Sequence, residues 1–232
     1  IWLAYDDPER AIAEADLGME WWAQRSFQLQ HFLHASARAR AALYAGTPGE
    51  ARTALLAIWP ELERSMLLRV QAVRVEALFL RARVALAEAG GDRAESDRPP
   101  PIIDDAMQLA RKLAREESAA AGAASLVIQA GVAYLRGSRV QCASHLKRAA
   151  HDFAGLDMEL FAVACKRAVS ALGGSHAVPD RHAIIAHEDR MRRLGVGSPS
   201  RFSAVLLGFS VAGAVSEDGP GDDRSGERKG LR

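Results

Sequence analysis

The chain of 232 residues has only two cysteines, four lysines and a formal net charge of +1, and each scarcity closes off a class of protein. Two thiols, Cys142 and Cys165, cannot build a disulfide scaffold or a four-thiolate zinc site. With 30 basic against 29 acidic side chains there is no long-range pull toward nucleic acid or an anionic membrane surface. The apolar stretch at residues 203–215 is 13 residues long and holds two glycines, where a membrane-spanning helix needs roughly 20 apolar residues. No charged segment followed by an apolar core and a small-residue cleavage site opens the chain. It begins Ile1-Trp2-Leu3 without an initiator methionine, so we expect the C-terminal piece of a longer protein or a trimmed one. Partners are expected to be a protein or peptide or other domains of the same chain, not nucleic acid or membrane, and the location cytoplasmic.

What remains is an ordinary globular balance, 49% hydrophobic and 25% charged. A chain of this length buries roughly 70–75% of its unfolded surface, enough for its own core. Its basic charge is almost all arginine, 26 against 4 lysines, which with the abundant alanine reads as GC-rich codon usage.

Apolar residues recur at three and four, the helical period, and nowhere alternate at two. Asp7-Pro8, Thr47-Pro48 and Ser198-Pro199 each place a capping side chain before a proline whose missing N–H costs nothing at a first helical position. Glycines at 46, 90–91, 137, 173–174 and 195 mark stops. These signals predict ten helices, near residues 8–25, 27–45, 48–64, 66–89, 102–116, 118–136, 139–154, 157–172, 180–194 and 199–207. The 66–89 segment carries two apolar stripes. Leu68, Ala72, Val75, Phe79, Ala82 and Leu86 form one, and Val70, Val73, Ala77, Leu80 and Val84 the other, so it is expected between neighbours. Short connections imply antiparallel packing. The exception is the polar, proline-ended stretch 90–101, read as a loop within one unit spanning 1–209. Residues 210–232, poor in core side chains toward the end, are read as a disordered tail.

Candidate chemistry is thin. His187-Glu188 begins a zinc-protease helix motif, but position 191 is Met, so the second ligand is missing. His31 and His34, His145 and His151, and His182 and His187 lack the partners or spacing of a metal site. Cys165 sits in the apolar run 161–165 and reads as a small buried hydrophobe. Asp152-Phe153-Ala154 is one letter from a kinase metal-binding triplet, without the glycine-rich or His-Arg-Asp loops that such chemistry needs. No phosphate-binding Gly-x4-Gly-Lys-Ser/Thr loop and no Gly-x-Ser-x-Gly turn exist. No catalytic, cofactor-binding or metal residue is therefore assigned, and no cofactor is expected. The two tryptophan positions, Trp21-Trp22 and Trp59, are read as packing residues. Arg74 and Arg81, seven apart on one face of the 66–89 helix, are the candidate binding residues, lining a groove for an acidic peptide.

Three segments share a helix, a tight polar turn and a second helix: residues 5–11, 45–51 and 136–142. In the third, Gly131 and Tyr134 precede the turn at Gly137, and Ala143 and Ala150 follow. This pattern resembles a tetratricopeptide repeat, although the first two units are 40 residues apart rather than 34 and Gly155 stands where a proline is usual. The resemblance implies an all-α solenoid of antiparallel helix pairs, each stacked on the next. Two longer stretches resemble something more particular. One is Arg25-Ser26-Phe27-Gln28-Leu29-Gln30-His31-Phe32 with Leu43-Tyr44-Ala45-Gly46, Trp59-Pro60 and Leu67-Leu68-Arg69-Val70-Gln71. The other is Arg193-Leu194-Gly195-Val196 with Ser198-Pro199-Ser200-Arg201 and Leu206-Leu207-Gly208-Phe209. Both are similar to the C-terminal helical region of large myxobacterial-type serine/threonine protein kinases, which carry an N-terminal kinase domain and a central ATPase-like module. The resemblance implies a non-catalytic interaction or regulatory segment, with ATP-dependent catalysis elsewhere in the parent chain. The alternatives are the sensor arm of an ATPase-type signalling or transcription regulator, and a stand-alone helical enzyme.

Overall fold

The structure, a computed structural model, describes residues 1–20, 22, 26–92, 101–173 and 178–211. Among them are ten α-helices and no strand. They are α1 (Pro8–Glu20), α2 (Leu29–Ala45), α3 (Pro48–Arg64), α4 (Gln71–Asp92), α5 (Ile102–Leu113), α6 (Ala119–Leu135), α7 (Arg139–Ala154), α8 (Glu159–Leu172), α9 (Arg181–Arg193) and α10 (Pro199–Leu207). The all-α expectation and most of the ten boundaries match.

Several boundaries move: α1 ends at Glu20 rather than near 25, α5 at Leu113 rather than near 116, and three others for reasons the contacts show. Residues 66–69 are not the start of the long helix but a separate 3-10 turn. Ser65 caps it by accepting from the Leu67 N–H, and Val70 breaks it with extended backbone. At the other end α4 runs on through Gly90 and Gly91 to Asp92, so the loop read from residue 90 begins later. The tail read from residue 210 also begins later, because Val211 is only 3% exposed and joins the main core. Residues 93–100 and 212–232, where the rest of that loop and tail fall, lie outside the described residues.

Of the three side chains expected to cap before a proline, Asp7 does so, whereas Thr47 and Ser198 make no side-chain capping hydrogen bond. The Asp7 carboxylate accepts from the Arg10 N–H at 2.9 Å, Ser118 from Ala121 and Asp180 from Ala183. Gly46 closes α2 at φ +79°, a left-handed conformation that glycine adopts without a Cβ penalty.

Every helix from α1 to α9 packs against its successor in the chain. Contacts also run between alternate members: α2 with α4, and α4 with α6. The last helix departs from this order, packing against α2, α4, α6, α8 and α9.

The two stripes of α4 enter different cores. Leu80 and Val84 join Ala39 and Ala42 of α2 and Ala51 and Leu55 of α3, whereas Phe79, Ala82 and Leu86 join α5 and α6. Ala77, one turn earlier, packs with Phe32, Trp59 and Leu62. Burying each large side chain contributes about 1.5–3 kcal/mol, which is how short alanine-rich helices that are marginal alone become stable together. Twelve of the 17 residues of α6 are buried. Its Gly131 is a packing necessity, because a Cβ there would come within 2.5 Å of a Leu86 methyl and 2.9 Å of the Phe209 ring. A buried hydroxyl, Ser125, ties α6 to α5 by donating to the Ala110 carbonyl at 2.7 Å.

Candidate functional site

The residues singled out for binding are both engaged within the fold. Arg74 directs Nε and Nη2 to the two Glu116 carboxylate oxygens, each at 2.6 Å, beyond the end of α5. Its Nη1 donates to the Leu68 carbonyl of the 3-10 turn at 2.7 Å. The Arg74 hydrogen bonds to Glu116 hold its carboxyl below the usual range, partial burial opposing them. Arg81 lies flat over Trp59 of α3, its guanidinium carbon 4.4 Å from the ring centroid, a stabilising cation–π geometry. Trp59 is buried and donates its indole N–H to Glu63 at 2.7 Å. The two arginines thus make contacts toward α3 and the end of α5.

The arginine of α4 that reaches α10 is Arg83. It is only 2% exposed. Its Nη1 donates to the Val205 carbonyl at 3.0 Å, one of the acceptors left free at the end of α10. Its Nη2 lies 3.4 Å from Glu76, a carboxylate that Arg40 of α2 also contacts. Its guanidinium covers the Phe79 ring at 4.3 Å, and its Nε has no acceptor. Burial lowers the Arg83 pKa to about 10, Glu76 opposing that fall and Arg40 adding to it. A signal was present in the sequence: a charged residue flanked by Leu80, Ala82, Val84 and Leu86 on a helix buried from two sides has to find an internal partner.

The segment that follows α10 fills the inner space. Gly208 turns at φ +80° with its α-carbon against the Arg83 backbone, and Phe209 then packs on Tyr134 of α6 with ring centroids 5.6 Å apart. Beside them opens a cavity of about 730 Å3, lined by Leu43, Leu86, Tyr134, Leu135, Arg139 and Phe209 among others. Helices α2, α4, α6 and α10 all end on it.

The remaining candidates are distributed. His34 meets Asp16 of α1 at 2.6 Å, and Arg38 donates to both Asp16 oxygens at 2.8 Å. The His34 hydrogen bond, opposed by burial and reinforced by Arg38, keeps the Asp16 carboxyl below its usual pKa. His31 accepts from the Gln28 N–H and stacks on Phe27. Glu188, the second letter of the interrupted zinc motif, binds the buried Arg167 at 2.8 Å instead. Phe153 of the kinase-like triplet is core, stacked on Phe161. Cys142 and Cys165 are fully buried, and burial pushes both thiols up to about 12, which leaves them protonated and unreactive at neutral pH. Trp21 lies outside the described residues, whereas the Trp22 indole donates to Gln28. Among the described residues no three His, Cys, Asp or Glu side chains gather as a metal site, and no helix is long and apolar enough to cross a membrane.

Comparison with protein families, with curated proteins and with solved structures returns no match for this chain.

Proposed function

We propose that the chain is a non-catalytic helical-repeat segment of the tetratricopeptide-like kind, whose inner face binds a short helix and serves a regulatory interaction. The observation that carries this reading is the seating of α10. A nine-residue helix from the far end of the chain lies against α2, α4, α6, α8 and α9 at once. Stacked helix pairs offer an extended surface of this kind for recognition, and helix-in-groove docking needs an amphipathic ligand with apolar anchors. In α10 and its exit those anchors are Val205, Leu207, Phe209 and Val211, all buried. On this reading α10 is a resident ligand, and a partner helix of similar chemistry competes with it.

The sequence resemblance supports a parent chain of the serine/threonine protein kinase type with an ATPase-like module, this segment acting on other domains of the same chain or on a separate protein. The test is competition for the inner face. A fluorescent peptide of residues 198–211 is expected to bind a Gly208→Val variant, in which α10 is loosened, at least about tenfold more tightly than wild type, with helix content unchanged by circular dichroism. Equal, absent binding by both proteins, or ATP turnover by the isolated chain, would overturn the proposal.

A further inference from the structure

A second cavity, of about 400 Å3, opens between α7, α8 and α9. Its polar lining is Lys147 and His151 from α7, Lys166 and Ser170 from α8, and His187 from α9, over a floor of Ala150, Ala154 and Val169. No carboxylate lines it. Along single helices His145 stands six residues from His151 and His182 five from His187, neither spacing suited to a shared site. The fold instead brings His151 and His187 together across the groove.

The gathering of two lysines, two histidines and a serine in one concavity is what points to a ligand. Twelve of the described arginines make ion pairs with acids elsewhere, among them Arg38 with Asp16, Arg52 with Glu88, Arg74 with Glu116, Arg136 with Asp104, Arg167 with Glu188 and Arg190 with Glu159. None of the chain's ion pairs among the described residues uses a lysine, and two of its four lysines face this one concavity. The acid felt most from α9, Asp180, is occupied in capping its own helix through the Ala183 N–H. The result is uncompensated positive charge focused in a recess, with imidazole and hydroxyl donors beside it. His187 registers that field: burial and the nearby Lys166 both hold its pKa down, against Asp180.

We infer that the α7–α8–α9 recess is a binding site for a phosphate monoester, with Lys147 and Lys166 neutralising its charge and His151, His187 and Ser170 supplying hydrogen bonds. Two ammonium groups match the charge of about −1.5 to −2 that a monoester carries at neutral pH, whereas a carboxylate would leave one cation unmatched. The volume falls within the range of small-ligand pockets and exceeds what a bare phosphate fills, and the alanine and valine floor suits a short carbon chain next to the phosphoryl group. This site is independent of the inner face occupied by α10.

Inorganic phosphate, O-phosphoserine and a short phosphoseryl peptide, each titrated into the full chain by isothermal calorimetry at constant salt, test the assignment. Saturable binding of at least one probe is expected, weakened about tenfold or more by Lys147→Gln/Lys166→Gln. An Arg111→Gln/Lys112→Gln variant, which removes equal charge from the exposed face of α5, is expected to bind like wild type. Both lysines are exposed and unpaired, so their removal is expected to leave the circular dichroism spectrum unchanged. Stronger binding of the peptide than of O-phosphoserine would identify a protein-borne phosphoryl group, and equal binding a small phosphate ester. No saturable binding of any probe by wild type, or equal losses in the two double variants, would overturn the site.

Discussion

At the scale of single residues, Arg83 is where the fold concentrates the most conflicting chemistry. Its guanidinium is taken out of water, shares Glu76 with Arg40, covers Phe79 and closes the end of α10 through the Val205 carbonyl. Truncating one partner of a buried charge network costs more than replacing it with an apolar isostere. Arg83→Ala is therefore expected to lose about 3 kcal/mol in urea unfolding, and Arg83→Met less than half of that. The sequence marked the position as anomalous but not its partner, because Val205 is 122 residues away and only the path of α10 brings it near. The same holds for Asp16, whose pairing with His34 and Arg38 depends on how α1 lies along α2. Arg74 and Arg81 were legible as neighbours on one helix. What they touch was not, since Glu116 and Trp59 come from other elements.

At the scale of elements, legibility is high, because helix boundaries are written locally in caps, prolines and glycines. The break at Val70 is the exception, and a side chain of the following helix supports it. Arg74 Nη1 donates to the Leu68 carbonyl at 2.7 Å, satisfying an acceptor that a continuous helix would have used internally. The Arg74–Glu116 fork that steadies this junction has a pH signature. Glu116 has a depressed folded pKa, so its contribution is complete above the ordinary carboxylate value and is lost as pH falls through the lower folded value. Asp16 follows the same sign. Urea midpoints measured between pH 7 and pH 3 are expected to fall for wild type, and to fall less for Glu116→Gln, whose amide has no proton to gain.

At the scale of the whole molecule, the order of packing along the chain follows from connection length, but the position of α10 does not. Its apolar face could be read from Val205, Leu207 and Phe209, whereas which of nine other helices it covers is a property of the assembled fold. The glycine after it makes the docking measurable. Gly208 and Gly137 both have positive φ, but a Cβ at 208 would lie 2.6 Å from the Arg83 α-carbon, whereas nothing stands within 4 Å of one at 137. Gly137→Ala is expected to cost about 1 kcal/mol for the left-handed backbone alone. Gly208→Ala is expected to cost about 2–4 kcal/mol, because overpacking adds to the same backbone term. Paired thermal melts separate the two.

The link from α10 to both early and late helices has a mechanical consequence. A row of rods that touch only their neighbours can unravel from either end, each loss leaving the remainder intact. Here α10 ties distant parts of the chain together, resting on α2 from its first half and on α8 and α9 from its second. The N-terminal turn is knotted to the same segment, through the Gly197 N–H on the Ala4 carbonyl and Arg201 on Asp6. Fraying at either end therefore pulls on the middle, and the molecule comes apart in a single event or not at all.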